Sequence, residues 1–308
     1  MKFCFVGVGS IATKHINALK KIDSTISIHA FRTGKSKFIS NVQSFIDKEV
    51  YDFNDLDDFY DAVYICNPTN MHYDTLVKFK DKTDYFFVEK PVFDKNYSEK
   101  DLEIFAGKNI YVACPLRYQP ALSKAKEIIN EKGNPISARI ICSSYLPEWR
   151  PSIDYRTNYS AHKDMGGGVS IDLIHEIDYM TYLFGFPKKD HYISGTFSDL
   201  EIDSDDLAVH LFEYPKMIVE MHLDYFGRKN QRYLEMFFND EVVKCDILEN
   251  KVYRYSKTDS VEEFGEADKY LCEAQNFVNF INNKPYISNN LIAATKNLKL
   301  AKGELFYE

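Results

Sequence analysis

Three glycines, Gly166, Gly167 and Gly168, stand directly before Asp172, His175, Glu176 and Asp178. Carboxylates and an imidazole at such short spacing can move a proton to or from a reacting group. Apolar residues at Ile171, Ile174, Ile177, Met180, Leu183 and Phe184 recur close to a 3.6-residue period, which predicts one helix over 169–184 with a buried side. On such a helix Asp172 and His175 are three apart and can face the same way. The glycines would let a backbone or a ligand approach the helix start, where unpaired N–H groups favour an anion or a carbonyl oxygen. From this stretch alone, a flexible turn before a core helix with a satisfied histidine is an equal reading.

Lys90 is the other residue with chemical promise. It follows a short apolar run and precedes Pro91, which restricts its backbone. A cation at the carboxyl end of a strand could stabilise a developing alkoxide or shift a proton.

The elements that must position these groups begin at the N-terminus. The run 2–6 reads as a buried strand, Gly7-Val8-Gly9-Ser10-Ile11-Ala12 follows it, and a helix over 13–22 comes next. In this G-x-G-x-x-A pattern the first glycine makes a tight turn and the second lets backbone reach a pyrophosphate. The last small residue lets helix and strand pack closely. The strand over 26–31 ends in Arg32-Thr33-Gly34-Lys35-Ser36-Lys37 where an NAD site would place an acid. Arg32, Thr33 and Ser36 suit a 2′-phosphate, so NADP is the expected cofactor and NAD the alternative. Strands over 61–66, 84–88 and 110–114 alternate with helices over 71–80 and 98–106, which implies a mainly parallel, doubly wound sheet. Its ligand groups should come from loops after the strands, here Asn67-Pro68-Thr69-Asn70-Met71-His72 and Glu89-Lys90-Pro91.

Composition narrows the class. The 308 residues suffice for two domains, and 45% apolar with 27% charged residues is ordinary for a folded protein. A net charge of −8 argues against a nucleic-acid surface, and no apolar run is long enough to span a membrane. Neither an export signal nor a C-x-x-C pair is seen; the six cysteines read as buried free thiols, giving a cytoplasmic expectation with no metal.

The glycine turn, the Asn-Pro-x-Asn-x-His loop, Glu-Lys-Pro, Leu116-Arg117-Tyr118-Gln119-Pro120 and the Gly-Gly-Gly stretch with its Asp and His resemble, in order and rough spacing, the Gfo/Idh/MocA oxidoreductase family. The resemblance implies a Rossmann domain over 1–119 and, over 120–308, an α/β domain with an open, mostly antiparallel sheet. It implies hydride transfer between a nicotinamide cofactor and a sugar, cyclitol or sugar-nucleotide carbon, with Lys90, Asp172 and His175 as the catalytic set. The cofactor would lie on Gly7, Gly9, Ser10, Ile11, Ala12, Asn67, Pro68, Asn70, His72, Glu89, Lys90, Pro91 and Arg117. The family usually spaces its Asp and His four apart; here they are three apart and Glu176 takes the fourth place, making it a rival acid/base. A non-catalytic NADP-binding sensor and a lyase or hydrolase with transient redox chemistry share these motifs.

After a helix over 121–132, strand-like runs at 136–145, 191–197, 207–214, 217–226 and 233–238 alternate enough for a sheet with one covered face, the other available to a second copy in a dimer or tetramer. Helices over 268–282 and 290–306 end the chain. The irregular loop 146–159 holds Trp149, Arg150, Arg156 and Tyr159. With Lys163 these arginines suit a carboxylate or phosphate, and the aromatic faces suit a sugar ring, so an anionic sugar is the expected substrate, bound also by Lys90, Asp172 and His175. Salt bridges from the arginines to Glu148 or Asp154 are the competing reading.

Overall fold

The computed structural model describes residues 1–34 and 41–304. In chain order the first elements are β1 (Lys2–Val6), α1 (Ser10–Ile22), β2 (Ser27–Phe31), β3 (Lys48–Val50), β4 (Ala62–Ile65), α2 (His72–Phe79), β5 (Tyr85–Val88), α3 (Glu99–Leu102) and β6 (Asn109–Val112). Next come α4 (Pro120–Lys132), β7 (Ser137–Tyr145), α5 (Val169–Asp172), α6 (Ile174–Phe184), β8 (Lys189–Gly195), β9 (Leu207–Tyr214) and β10 (Met217–Asp224). The last are β11 (Phe226–Phe237), β12 (Val242–Asp246), β13 (Lys251–Tyr255), β14 (Ser260–Glu263), α7 (Lys269–Ile281) and α8 (Leu291–Ala301).

Two compact units result, one of Met1–Pro115 with Asp268–Thr295, the other of Leu116–Ala267 with the chain from Lys296 onward. In the first, β1–β6 pair in parallel in the order β3-β2-β1-β4-β5-β6. Strands β1, β4 and β5 are apolar runs buried on both faces, as a parallel sheet covered by helices requires. Phe5, Tyr64 and Phe87 stand in register on β1, β4 and β5 and stack at 4.4 and 4.6 Å. Phe277 of α7 meets the latter two edge-on at 5.4 and 5.2 Å, each such pair adding roughly 0.5–1.5 kcal/mol beyond area burial. This packing, with α7 also lying on α1, is why residues 268–295 group with the first unit despite their distance in sequence.

The second unit is built on a mostly antiparallel sheet in the order β14-β13-β12-β11-β7-β10-β9-β8, in which only β7 and β10 run parallel among the described residues. Along β9, Ala208, His210 and Phe212 are buried while Val209 and Leu211 are exposed, so one face is covered. Three sequence expectations change. The helix over 98–106 shrinks to α3 followed by a 3₁₀ turn. The helix over 169–184 breaks at Leu173, whose φ −95°, ψ 26° leaves the helical region and separates α5 from α6. Cys272 is exposed, although the other five thiols are buried and free as expected. Among the described residues no helix is long and apolar enough to cross a membrane, and no cluster of His, Cys, Asp and Glu is arranged to hold a metal ion.

Candidate functional site

A cavity of about 490 Å³ opens where β1, β2 and β4 end, with β2 and β4 on opposite sides of β1. Such a switch point is where open parallel sheets bind ligands. The wall takes Gly7 and Gly9 from the turn, Arg32 and Thr33 after β2, Asn67 and Pro68 after β4, and Asp74, Thr75 and Lys78 from α2. Gly7 has φ +84°, and a Cβ there would stand 2.8 Å from the Asn67 nitrogen, so the turn and the β4 loop can close only on glycine. Gly9 differs: its φ is −90° and an added Cβ would meet nothing within 4 Å. The space it leaves belongs to the cavity. Helix α1 begins there with no side-chain cap and no acid in its first turn, Ser10 and Ile11 included, so its positive end is open to an anion. Ala12 is fully buried, which lets α1 close on the sheet. Asn67 donates from Nδ2 to Thr75 Oγ1 at 2.8 Å, while its Oδ1 is buried with no hydrogen-bond partner among the described residues. A buried acceptor of this kind calls for a donor from a ligand. These features fit the pyrophosphate and sugar portions of a dinucleotide.

Several residues of the expected cofactor set are engaged with other groups of the chain. The Arg32 guanidinium lies 2.7 Å from Glu49 on β3, and the Tyr51 hydroxyl with Arg32 holds the Glu49 carboxyl below its ordinary range. Ser36 lies outside the described residues. His72 is buried, with its ring nitrogens 2.9 Å from the Asn67 carbonyl and 3.1 Å from the Val92 carbonyl. Burial pushes this imidazole below its usual value against the pull of those carbonyls, so it fastens the Asn67 loop instead of meeting solvent. Glu89 turns inward to His15 on α1, at 2.5 Å. Burial works to raise its carboxyl, but the hydrogen bond and charge of His15, with Lys90 beside it, outweigh that and hold it below the usual glutamate value. The second Glu89 oxygen accepts from the Lys90 backbone N–H at 3.1 Å, so the strand end carrying Lys90 is tied to α1. Lys90 is half-buried and joined to Pro91 by a cis peptide bond; Asn70 is exposed and outside the cavity wall. Arg117 is a structural clamp: its fork binds both Asp178 oxygens at 2.9 and 2.8 Å, and its plane covers Tyr182.

In the second unit the glycines serve the chain itself. A Cβ on Gly167 would collide with the carbonyl oxygens of Tyr159, Ser160 and His162, while Gly166 and Gly168 take φ +80° and +130°. The expected anion site at the helix start is closed, because the Val169 N–H donates to the Asp205 carbonyl and α5 has only four residues. The break at Leu173 also removes the shared helical face of Asp172 and His175; Asp172 ends α5 and His175 is the second residue of α6. Asp172 is buried and receives the Tyr225 hydroxyl on Oδ2 at 2.6 Å, and the Tyr159 hydroxyl as well. Burial first, then Asp172 itself, raises both phenols above their ordinary value, so they stay protonated donors. Trp149 packs edge-on to Tyr225 at 5.2 Å and donates to Ser144 Oγ at 2.9 Å. Beside this group lies a second cavity of about 470 Å³ lined by Asp172, Trp149, Ser143, Ser144, Asn230, Gln231, Arg232 and Glu148.

His175 is half-buried, whereas Glu176 is fully buried and ion-paired to Arg232, Nε to Oε1 at 2.8 Å. Burial works against the Arg232 charge, but Glu176 together with Cys142 and Tyr179 outweighs it and raises its value. That pairing engages the Glu176 carboxylate with Arg232 inside the second unit. Arg156 spends its fork on Asp154 at 2.8–3.1 Å and reaches Glu201 at 3.2 Å, the salt-bridge reading of this arginine. Arg150 is exposed, and its charge acts on the Tyr159 hydroxyl. Sequence reasoning missed Tyr225, Gln231 and Arg232 on one side and Thr75 and Lys78 on the other. Only tertiary pairing brings them to these cavities, and no local spacing signals it.

The first unit is thus a Rossmann-type nucleotide-binding fold, joined in one chain to a unit with an open sheet. The oxidoreductase-family model with an NAD-binding Rossmann fold matches residues 1–103, and the Gfo/Idh/MocA C-terminal domain model matches residues 122–240. The chain belongs to the Gfo/Idh/MocA oxidoreductase family. It is similar to the uncharacterized oxidoreductase YrbE of Bacillus subtilis (strain 168), 27% identical over 209 residues, covering 62% of this chain and 55% of the relative. It is also similar to a myo-inositol 2-dehydrogenase of Thermotoga maritima, 26% identical over 207 residues, covering 64% and 58%. The chain spans little more than half the length of these curated relatives. A levoglucosan dehydrogenase solved with NADH and levoglucosan shares the fold, with TM-score 0.83, 15% identity and coverage of 98% and 95%.

Proposed function

We propose that this protein is an NAD(P)-dependent oxidoreductase that moves a hydride between a nicotinamide cofactor and the carbinol or keto carbon of a sugar or cyclitol. The observation that carries the reading is the first cavity, where the open start of α1, the space at Gly9 and an Asn67 Oδ1 with no partner among the described residues meet. When bound there, the nicotinamide group would supply the hydride chemistry. The chain supplies binding and proton handling. His175 and Lys90 are the groups proposed to hold the hydroxyl proton, and Asp172, steadied by Tyr159 and Tyr225, orients the polyol.

A neutral substrate suits the second cavity better than the anionic sugar expected from sequence. Its wall bears Asp172 and Glu148, the Arg232 charge on it is balanced by Glu176, and Arg156 is already paired. Trp149 offers a ring face, while Ser143, Ser144, Asn230 and Gln231 offer hydrogen-bonding groups for hydroxyls. The myo-inositol 2-dehydrogenase relative supports a polyol. The anionic sugar stays as a second reading because of Arg150 beside Tyr159.

The test is absorbance at the reduced-nicotinamide band with neutral sugars, inositols and charged sugars. Reduced cofactor accumulating with a neutral polyol supports the reading. Turnover without accumulation indicates transient redox chemistry, and binding without turnover indicates a sensor. A charged sugar preferred by wild type, with that preference lost in Arg150→Ala, favours the second reading.

We also assign the open face of the second sheet, where Ile193, Val209, Leu211 and Ile218 are exposed, to a second copy of the chain. A monomeric mass by light scattering would overturn that assignment.

A further inference from the structure

We propose that Lys78, and not Arg32 alone, reads the 2′-phosphate of a bound dinucleotide and so confers a preference for NADP over NAD. This rests on the reading of the first cavity as a dinucleotide site. Lys78 lies near the end of α2 and lines that cavity with Arg32 and Thr33. Its ammonium stands 5.2 Å from the centroid of the Phe31 ring and 4.8 Å from that of Phe53. Phe31 is the residue immediately before Arg32, so the cation is held at the strand end where an adenosine ribose would lie.

The two cations differ in what they already bind. The charge of Arg32 is answered by Glu49 at 2.7 Å, and an anion approaching it competes with that carboxylate. Lys78 makes no ion pair among the described residues, and Asp74, one helical turn earlier, is the acid sharing its wall. Aromatic faces hold an ammonium in place without neutralising it, so its full charge remains for a phosphate. The pyrophosphate end of the cavity is served separately, by the glycine turn and the start of α1.

The experiment is equilibrium titration of the full chain with NADP⁺, NAD⁺, 2′,5′-ADP and 5′-ADP, using wild type and Lys78→Met. Methionine keeps an unbranched stem over Phe31 and Phe53 while removing the charge. The expected result is a loss of about 10-fold or more for NADP⁺ and 2′,5′-ADP, the usual worth of a charge-assisted contact, with NAD⁺ and 5′-ADP changed by about 3-fold or less. Equal losses for phosphorylated and unphosphorylated ligands, an unchanged NADP/NAD ratio, or wild type that binds NAD⁺ without NADP⁺ would each overturn the Lys78 assignment while leaving the dinucleotide site intact. Wild type that binds none of the four ligands overturns the dinucleotide reading and this assignment with it. A melting curve for Lys78→Met, expected to match wild type, separates loss of binding from loss of fold.

Discussion

Tyr225 donates its hydroxyl to Asp172 over 2.6 Å, although 53 residues of chain separate them. A second phenol, that of Tyr159, reaches the same carboxylate, and both are kept protonated by burial. Asp172 is therefore an acceptor set in place by two donors. Tyr225→Phe should leave the fold and dinucleotide affinity unchanged and lower kcat/KM by about 10-fold or more, the worth of one hydrogen bond to a charged group. Wild-type kcat/KM in Tyr225→Phe would remove Asp172 from the orienting role.

His175 and Glu176 are neighbours with opposite environments, one half-buried and the other sealed against Arg232. His175→Ala should melt within a few degrees of wild type and lose roughly 10²–10⁴-fold in turnover. Glu176→Gln should chiefly destabilise, by about 3–5 kcal/mol, because it leaves the Arg232 charge buried without its counter-ion. Thermal melts and steady-state rates on both variants decide the matter; a stable, inactive Glu176→Gln with an active His175→Ala would reverse the assignment.

Gly9 and Gly167 call for glycine for different reasons within this one molecule: the first borders open space, the second lies against three carbonyl oxygens. Gly9→Ala should fold with an unchanged melting temperature and bind dinucleotide about 10-fold or more weakly, since its methyl would enter the place of the pyrophosphate. Gly167→Ala should lower the melting temperature sharply. Undiminished dinucleotide affinity in Gly9→Ala would argue against a phosphate at the turn.

Glu241 shows how pH should act on stability. The Arg254 hydrogen bonds, at 2.6 and 2.7 Å, with help from Lys132, bring its carboxyl from 4.5 to about 2. A depressed folded-state value means the stabilisation is present above the unfolded value and fades as pH falls from about 4.5 to about 2. Wild type should therefore melt above Glu241→Gln at pH 7, and the gap should close across that acid window. A gap that stays undiminished from pH 7 down to about pH 2 would show that the residue stabilises through packing instead of charge.

The residues of the glycine turn carry their fold in their order, because strand, turn and helix are contiguous and each step is local. Gly7 must be glycine for its φ and for the approach of Asn67, and Ala12 must be small where α1 meets the sheet. Strand alternation and the motifs running from Gly7 to Asp178 were legible for the same reason, and they were enough to place the chain in its family. Spacing could not tell which side chains were already engaged. Arg117 is bound to Asp178, Arg156 to Asp154 and Glu201, Glu176 to Arg232, and Glu89 to His15. Most of these partners lie far away in sequence, and only the packed structure brings them within hydrogen-bonding range. The break at Leu173 is of the same kind: the apolar period runs on through it, but close contacts around Gly167 and the Tyr159 and Tyr225 hydroxyls on Asp172 accompany a chain turn that periodicity cannot express. Sequence determined the local geometry and the list of chemically able groups; tertiary pairing decided which of them were left to meet a ligand.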